Sequence, residues 1–285
     1  MPRRAPKPLP DPFVLYQRAV QEPDAEVDFI DAEFRRLRRR TPARLREDFC
    51  GTGQVCCSWA LRRRVNEAVG LDLDRVTLDW GLARNVAKLR PATRERVSLL
   101  RRDVLRPWKV LAGERVGPRG AGAWGRMDVV YAGNFSWWVF HTRRDLLAYF
   151  RGVRRSLVRD GLFVLDIMGG WEVTREQRER WAIGGAKRGF TYQWHQEKFD
   201  PVTARATCHI GFKLRDGRRM PRAFTYDWRV WTVRETRDAL ADAGFTRTTV
   251  YWEGDDRKGG GNGVFRPTER GEACASFIAY IVAER

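Results

Sequence analysis

Beyond Pro42 the chain alternates apolar, strand-like runs with helical stretches, and this alternation restricts the fold more than any other feature. Strands are expected over 44–49, 68–73, 97–100, 127–132 and 162–167. Helices are expected over 55–63, 75–88 and 143–158. A chain written this way builds a mostly parallel sheet covered by helices on both faces. A further helix over 232–243 opens with Thr232 and Glu235, the spacing of a capping box, and closes at Gly244. Two strands, 246–252 and 275–283, follow it, with a Gly-rich loop over 259–263 between them. The expected class is therefore α/β, with seven strands and the last one antiparallel.

The flanking segments read differently. Residues 13–40 look helical, with Val27, Phe29, Ile30, Phe34 and Leu37 set among charges. Residues 107–125 are rich in Gly and Pro, so the crossover helix before the fourth strand should be short or missing. Residues 190–231 are aromatic and strand-like, broken by Asp200-Pro201 and Asp216-Gly217. They are expected to form an antiparallel, lid-like layer over the carboxyl edge of the main sheet, as one wall of an acceptor pocket. The domain reading is a flexible basic, Pro-rich tail over 1–12 and one domain over 13–285 that carries 190–231 as an insertion.

Charge narrows the partners. The formal net charge is +18, from 47 Arg and 7 Lys against 36 acids. The Arg residues are scattered, so a solvated basic surface is preferred and nucleic acid is the alternative partner. Five cysteines without a CxxC pair are not a disulfide framework, and reduced, buried thiols are expected. His141, His195 and His209 show no metal-ligand spacing, so no bound metal is expected. No apolar run is long enough for a membrane span, and residues 1–12 lack the apolar core of a signal peptide. A cytoplasmic protein is the expectation.

Chemistry concentrates at the carboxyl ends of the first three strands. Leu45-Arg46-Glu47-Asp48-Phe49-Cys50-Gly51-Thr52-Gly53 runs from strand through Gly-x-Gly into helix, so backbone can approach a ligand closely. Cys56 stands where a dinucleotide fingerprint has its third glycine, which weakens a dehydrogenase reading. Asp72 ends the second strand, where a carboxylate can accept both hydroxyls of a ribose. Asp103 follows the third strand.

In order and spacing these residues resemble the class I S-adenosyl-L-methionine (SAM)-dependent methyltransferase family. Glu47 matches its acidic position, and Gly51 and Gly53 match the last two glycines of its first motif. Phe49 departs from the first glycine. Asp72 matches the ribose-binding acid, and Asp103 beside Val104 matches the residue that meets the adenine amino group. Asp128 and Asp160-Gly161 match later motifs. Trp231-Thr232-Val233-Arg234-Glu235, followed by Ala243-Gly244-Phe245 and two strands, is similar to the ending of small-molecule members. The resemblance covers roughly residues 13–285 and implies a Rossmann-like fold with SAM as cofactor. The cofactor contacts it implies are Tyr16, Glu47, Phe49, Cys50, Gly51, Gly53, Asp72, Leu73, Asp103, Val104 and Asn134.

The acceptor is less legible. The Asp/Asn-Pro-Pro-aromatic signature of nucleic-acid amino-methyltransferases is absent after the fourth strand, which reads Gly133-Asn134-Phe135-Ser136-Trp137-Trp138. Asn134 and Ser136 can orient a polar acceptor; Trp137 either stacks on it or packs under a helix. Tyr192, Trp194 and Arg229 are the other acceptor candidates, and Asn134 and His195 are the groups assigned to catalysis. The expected function is methyl transfer to a small molecule of unknown identity. The alternatives are an RNA or other macromolecule methyltransferase, and a catalytically silent SAM-binding protein.

Overall fold

The structure is a computed structural model that describes residues 8–107, 109, 126–185, 189–256 and 260–285. In chain order its helices are α1 (Pro12–Val20), α2 (Pro23–Arg38), α3 (Gln54–Arg62), α4 (Arg75–Arg84), the single turn α5 (Pro91–Arg94), α6 (Arg143–Ser156) and α7 (Val233–Asp242). Its strands are β1 (Arg44–Asp48), β2 (Glu67–Asp72), β3 (Val97–Arg101), β4 (Met127–Ala132), β5 (Leu157–Gly169), β6 (Gln177–Ile183), β7 (Phe190–Asp200), β8 (Arg205–Leu214), β9 (Arg219–Arg229), β10 (Arg247–Asp255), β11 (Gly261–Thr268) and β12 (Phe277–Glu284). Most of residues 107–125, where a short or missing crossover was expected, lies outside the described residues, as do residues 1–7 of the tail and Gly259.

The chain divides into two compact units: Glu22–Val173 with Trp231–Arg285, and the residues up to Gln21 with Thr174–Val230. The first unit is built on an eight-stranded sheet in the order β11-β10-β12-β5-β4-β1-β2-β3. Strands β1 to β5 pair in parallel, while β12 runs antiparallel to both β5 and β10. All seven expected strands are present, and the last is antiparallel as expected. The eighth is β11, which grows from the Gly-rich segment and pairs antiparallel with β10 through a bulge near Glu253.

Helices cover both faces because strand side chains alternate. Leu162 and Val164 of β5 join a core with Val27, Ile30 and Phe34 of α2, Trp59 of α3 and Leu78 of α4. Phe163, between them, meets Tyr149 and Phe150 of α6 at ring-centroid distances of 5.9 and 5.7 Å. It also meets Phe245, just beyond α7, at 6.0 Å. The capping box at Thr232 and Glu235 forms as expected, and Gly244 adopts φ +94° after the helix.

The second unit is a four-stranded antiparallel sheet, β6-β7-β8-β9, with α1 packed on its apolar face through Leu15 and Tyr16. It is wider than the expected 190–231 excursion, since it takes in β6 and α1. The two turn signals lie between β7 and β8 and between β8 and β9. The expected helix over 13–40 is two helices that fall in different units. Pro23 is the cause: it has no N–H to donate and disfavours helical backbone at Glu22, which sits at φ −125°, ψ 61°.

Candidate active site

The strand order reverses at β1, whose neighbours are β2 and β4, and open α/β sheets bind ligands in the crevice at that point. The loop after β1 is shaped for close approach. Phe49, Gly51 and Gly53 all hold left-handed backbone, at φ +59°, +51° and +69°. Gly53 has no alternative, because a Cβ there would lie 2.6 Å from Leu99 Cδ2. Phe49 occupies the place of the resemblance's first glycine and takes the glycine-like φ regardless. Its ring packs 5.7 Å from Tyr149 and 6.0 Å from Phe140, which offsets the backbone strain.

Asp72, at the end of β2, closes the loop: its carboxylate accepts the Gly51 N–H at 2.8 Å and the Asp74 N–H at 2.9 Å. Each oxygen keeps lone pairs for a further donor. Leu73 beside it is 56% exposed, an apolar side chain presented at the sheet edge. Asp103 holds its own turn by accepting the Leu105 N–H at 2.9 Å, and Val104 is buried. Cys50 is buried and donates its N–H to the Leu71 carbonyl at 3.0 Å, so it fixes the loop.

Beneath this loop lies a group of acids that sequence reasoning only partly found. Glu47 is buried and accepts the Cys56 N–H at 3.1 Å and the Cys56 thiol at 3.0 Å. Burial, and then the nearby Glu26 and Asp72 carboxylates, push its pKa up to about 8. Glu26, on α2, is likewise pushed up to about 8, by burial first and then by Asp166. It reaches the Tyr131 hydroxyl, but its Oε2 is shut off from solvent with no hydrogen-bond partner. Asp166, near the end of β5, is raised to about 7 by burial. It accepts the Asn134 N–H at 2.6 Å and the Phe135 N–H at 2.9 Å. Those two residues are consecutive and both left-handed, at φ +56° and +55°, so one carboxylate cradles a strained turn. Asp166 is the one acid within the apolar run Leu162–Met168, and that signal was present in the sequence. Glu26 gave none, being one acid of several on a charged helix.

Not every candidate is at this edge. Trp137, considered as a stacking surface, is fully buried; its indole N–H donates to the Asp166 carbonyl at 2.8 Å and its ring packs on Phe150. It therefore serves the core, because a tryptophan with no exposed face cannot meet an acceptor. Ser136 begins the short helical turn that carries it and is half-buried. Asp128 sits at the start of β4, where it accepts the Ala43 and Arg44 N–H groups and pairs with Arg40.

Tyr16, Tyr192, Trp194, His195 and Arg229 belong to the antiparallel unit. Tyr16 packs on Phe224, with ring centroids 5.0 Å apart. Tyr192 packs on Trp181 and Phe212, and Trp194 lies near Tyr226 and Trp228. Strand pairing places His195 opposite His209, a proximity that sequence spacing does not reveal. With Glu197 they form a group whose donor atoms lie within 4.8 Å of one another. Both ring nitrogens of His209 are engaged, by Thr225 and Glu197, and Glu197 also pairs with Arg222. Burial and then Arg178 hold the His195 pKa below the usual histidine value.

No protein-family model matches the sequence, and no curated protein matches it significantly. Solved structures do match over nearly the whole chain. An S-adenosylmethionine-dependent methyltransferase from Clostridium acetobutylicum is similar at 15% identity and TM-score 0.64, over 95% of this chain and 96% of that one. CalS10, an amino pentose methyltransferase from Micromonospora echinaspora, is similar at 16% identity and TM-score 0.62, over 99% of this chain and 100% of its own. The sugar N-methyltransferase KedS8 from a Streptoalloteichus species is similar at 16% identity and TM-score 0.60, over 100% and 98%. The chain has the fold of the SAM-dependent methyltransferases.

Proposed function

We propose that this chain binds SAM at the carboxyl ends of β1, β2 and β3 and transfers its methyl group to a small-molecule acceptor. The observation that carries the reading is the set of buried acids around the Phe49–Gly53 loop. Burial raises Glu26, Glu47 and Asp166; Asp166 raises Glu26 further and Glu26 raises Glu47, with an orphaned oxygen on Glu26. Burial holds these acids largely protonated near neutral pH, and a cationic ligand beside them would favour their ionised form. SAM would supply a methyl group already activated on a sulfonium, so little protein chemistry is required beyond positioning. Asp72 would accept the ribose hydroxyls with the lone pairs that Gly51 and Asp74 leave open. Leu73 offers apolar surface to adenine and Asp103 an acceptor for its amino group, with the buried Val104 packed beside Asp103. The Asp166 cradle fixes Asn134, which orients a polar acceptor.

A small-molecule acceptor is supported by the fold likeness to CalS10 and KedS8, whose names describe sugar substrates. We assign acceptor recognition to Tyr192, Trp194 and Arg229, and proton removal, where the nucleophile needs it, to His195. Burial and Arg178 lower its pKa, which favours the neutral ring that a base requires. Among the described residues no helix is long and apolar enough to cross a membrane. Calorimetry on the folded full chain tests the core of the reading: SAM and S-adenosylhomocysteine should both bind, and absence of binding by either would overturn it.

A further inference from the structure

The antiparallel sheet has two chemically opposite faces. One is aromatic and carries Ile210, Phe212 and Phe224 against α1. The other is basic. There Arg178 lies opposite His195 in the β6–β7 register, and Arg180 lies opposite Gln193. These side chains, with Arg219 and Arg222 from β9, line a concave cavity of about 320 Å³, within the size range of small-molecule sites. Glu179 also lines it, so four guanidinium groups face one acid.

We propose that this cavity binds a phosphate-type oxyanion. Arg178 and Arg180 are two residues apart on one strand, so their Cα atoms stand about 6.6 Å apart on the same face. They form one wall, and Arg219 and Arg222 form the other. Arg178, Arg180 and Arg219 make no ion pair among the described residues. Guanidinium groups held around one space repel one another, and an anion between them removes that cost. A tetrahedral oxyanion suits the arrangement better than a single carboxylate, because its several oxygens can take forked donors from both walls at once. Glu197 already neutralises Arg222 in part, and it faces His209 on its other side, so an incoming anion competes only for Arg222. A divalent cation at His195, Glu197 and His209 is the less favoured occupant, since Arg178 and Arg222 both repel it.

His195 and Trp194, assigned above to the acceptor, also line this cavity, but the inference does not require methyl transfer and is tested without SAM. Titration calorimetry of the full chain with pyrophosphate, at low salt, should show saturable binding. Arg178→Ala with Arg180→Ala should weaken it at least ~10-fold, as loss of a charge-assisted bond implies. Arg151→Ala with Arg234→Ala removes the same charge from exposed helix positions outside the cavity and should change affinity less than ~2-fold. If the first pair fails to fold by circular dichroism, Arg219→Ala on the opposite wall takes its place. Equal losses in the two pairs would reduce the effect to net charge and overturn the proposal. So would zinc binding at the histidine pair without any pyrophosphate binding.

Discussion

SAM affinity should fall steeply as pH is lowered from about 8 to about 6. The perturbed groups are Glu26 and Glu47, both raised to about 8, and Asp166, raised to about 7. A carboxyl with a pKa near 8 is about half ionised at pH 8 and only about 1% ionised at pH 6. If the bound state requires one such group ionised, affinity drops about 50-fold over that interval, and further if two are required. The ligand-free protein responds with the opposite sign. An acid whose folded pKa lies above its unfolded value contributes stability at low pH and loses it as pH rises through the folded value. The empty protein therefore loses stability as pH rises, from about 4.5 to 8 through Glu26 and Glu47 and from about 3.8 to 7 through Asp166, and a bound cation reverses the effect. The assay is calorimetry at several pH values in buffers of different ionisation enthalpy, which counts protons released on binding. Glu47→Gln can still accept the Cys56 N–H through its amide oxygen and should remove one proton from that count. An affinity independent of pH, or a proton count unchanged by Glu47→Gln, would refute the view that these acids are held for a cation.

Asp72→Ala should weaken SAM at least ~10-fold in the same assay, through lost ribose acceptance and a loosened Gly51 N–H; an unchanged dissociation constant would mean that another acid holds the ribose. Gly53→Ala should cost about 2–4 kcal/mol in urea unfolding, because it combines φ +69° with a 2.6 Å approach to Leu99 Cδ2. Gly51→Ala should cost only about 1–2 kcal/mol, since its nearest neighbour, Thr77 Cγ2, is 3.7 Å away; equal costs would contradict the steric account. RNA binding should be weak and fall steeply with salt, because the Arg residues are dispersed. Sub-micromolar, sequence-selective RNA binding that survives about 200 mM salt would make RNA the preferred acceptor.

Much of the main sheet was legible because its signals are local. Apolar runs, Gly51 and Gly53, the Thr232 cap and the acids ending strands are written over short stretches, and each acts through its own backbone. The resemblance of Glu47, Asp72 and Asp103 to a methyltransferase motif set rests on such stretches in order. Where local reading erred, the cause was also local: Pro23 divides a pattern that looks continuous, and a Gly-rich segment expected as loop begins β11.

What only the tertiary structure decided depends on groups distant in sequence. Whether Trp137 is a surface or core residue turns on Phe150 and the Asp166 carbonyl, which no nearby residue specifies. Glu26 becomes a perturbed acid only because α2 brings it to Tyr131 and Asp166. The pairing of His195 with His209, and the gathering of Arg178, Arg180, Arg219 and Arg222 around one cavity, follow from strand register. A scattered Arg composition cannot reveal that gathering, because register is set by side-chain alternation and turns across the whole sheet rather than by any one segment.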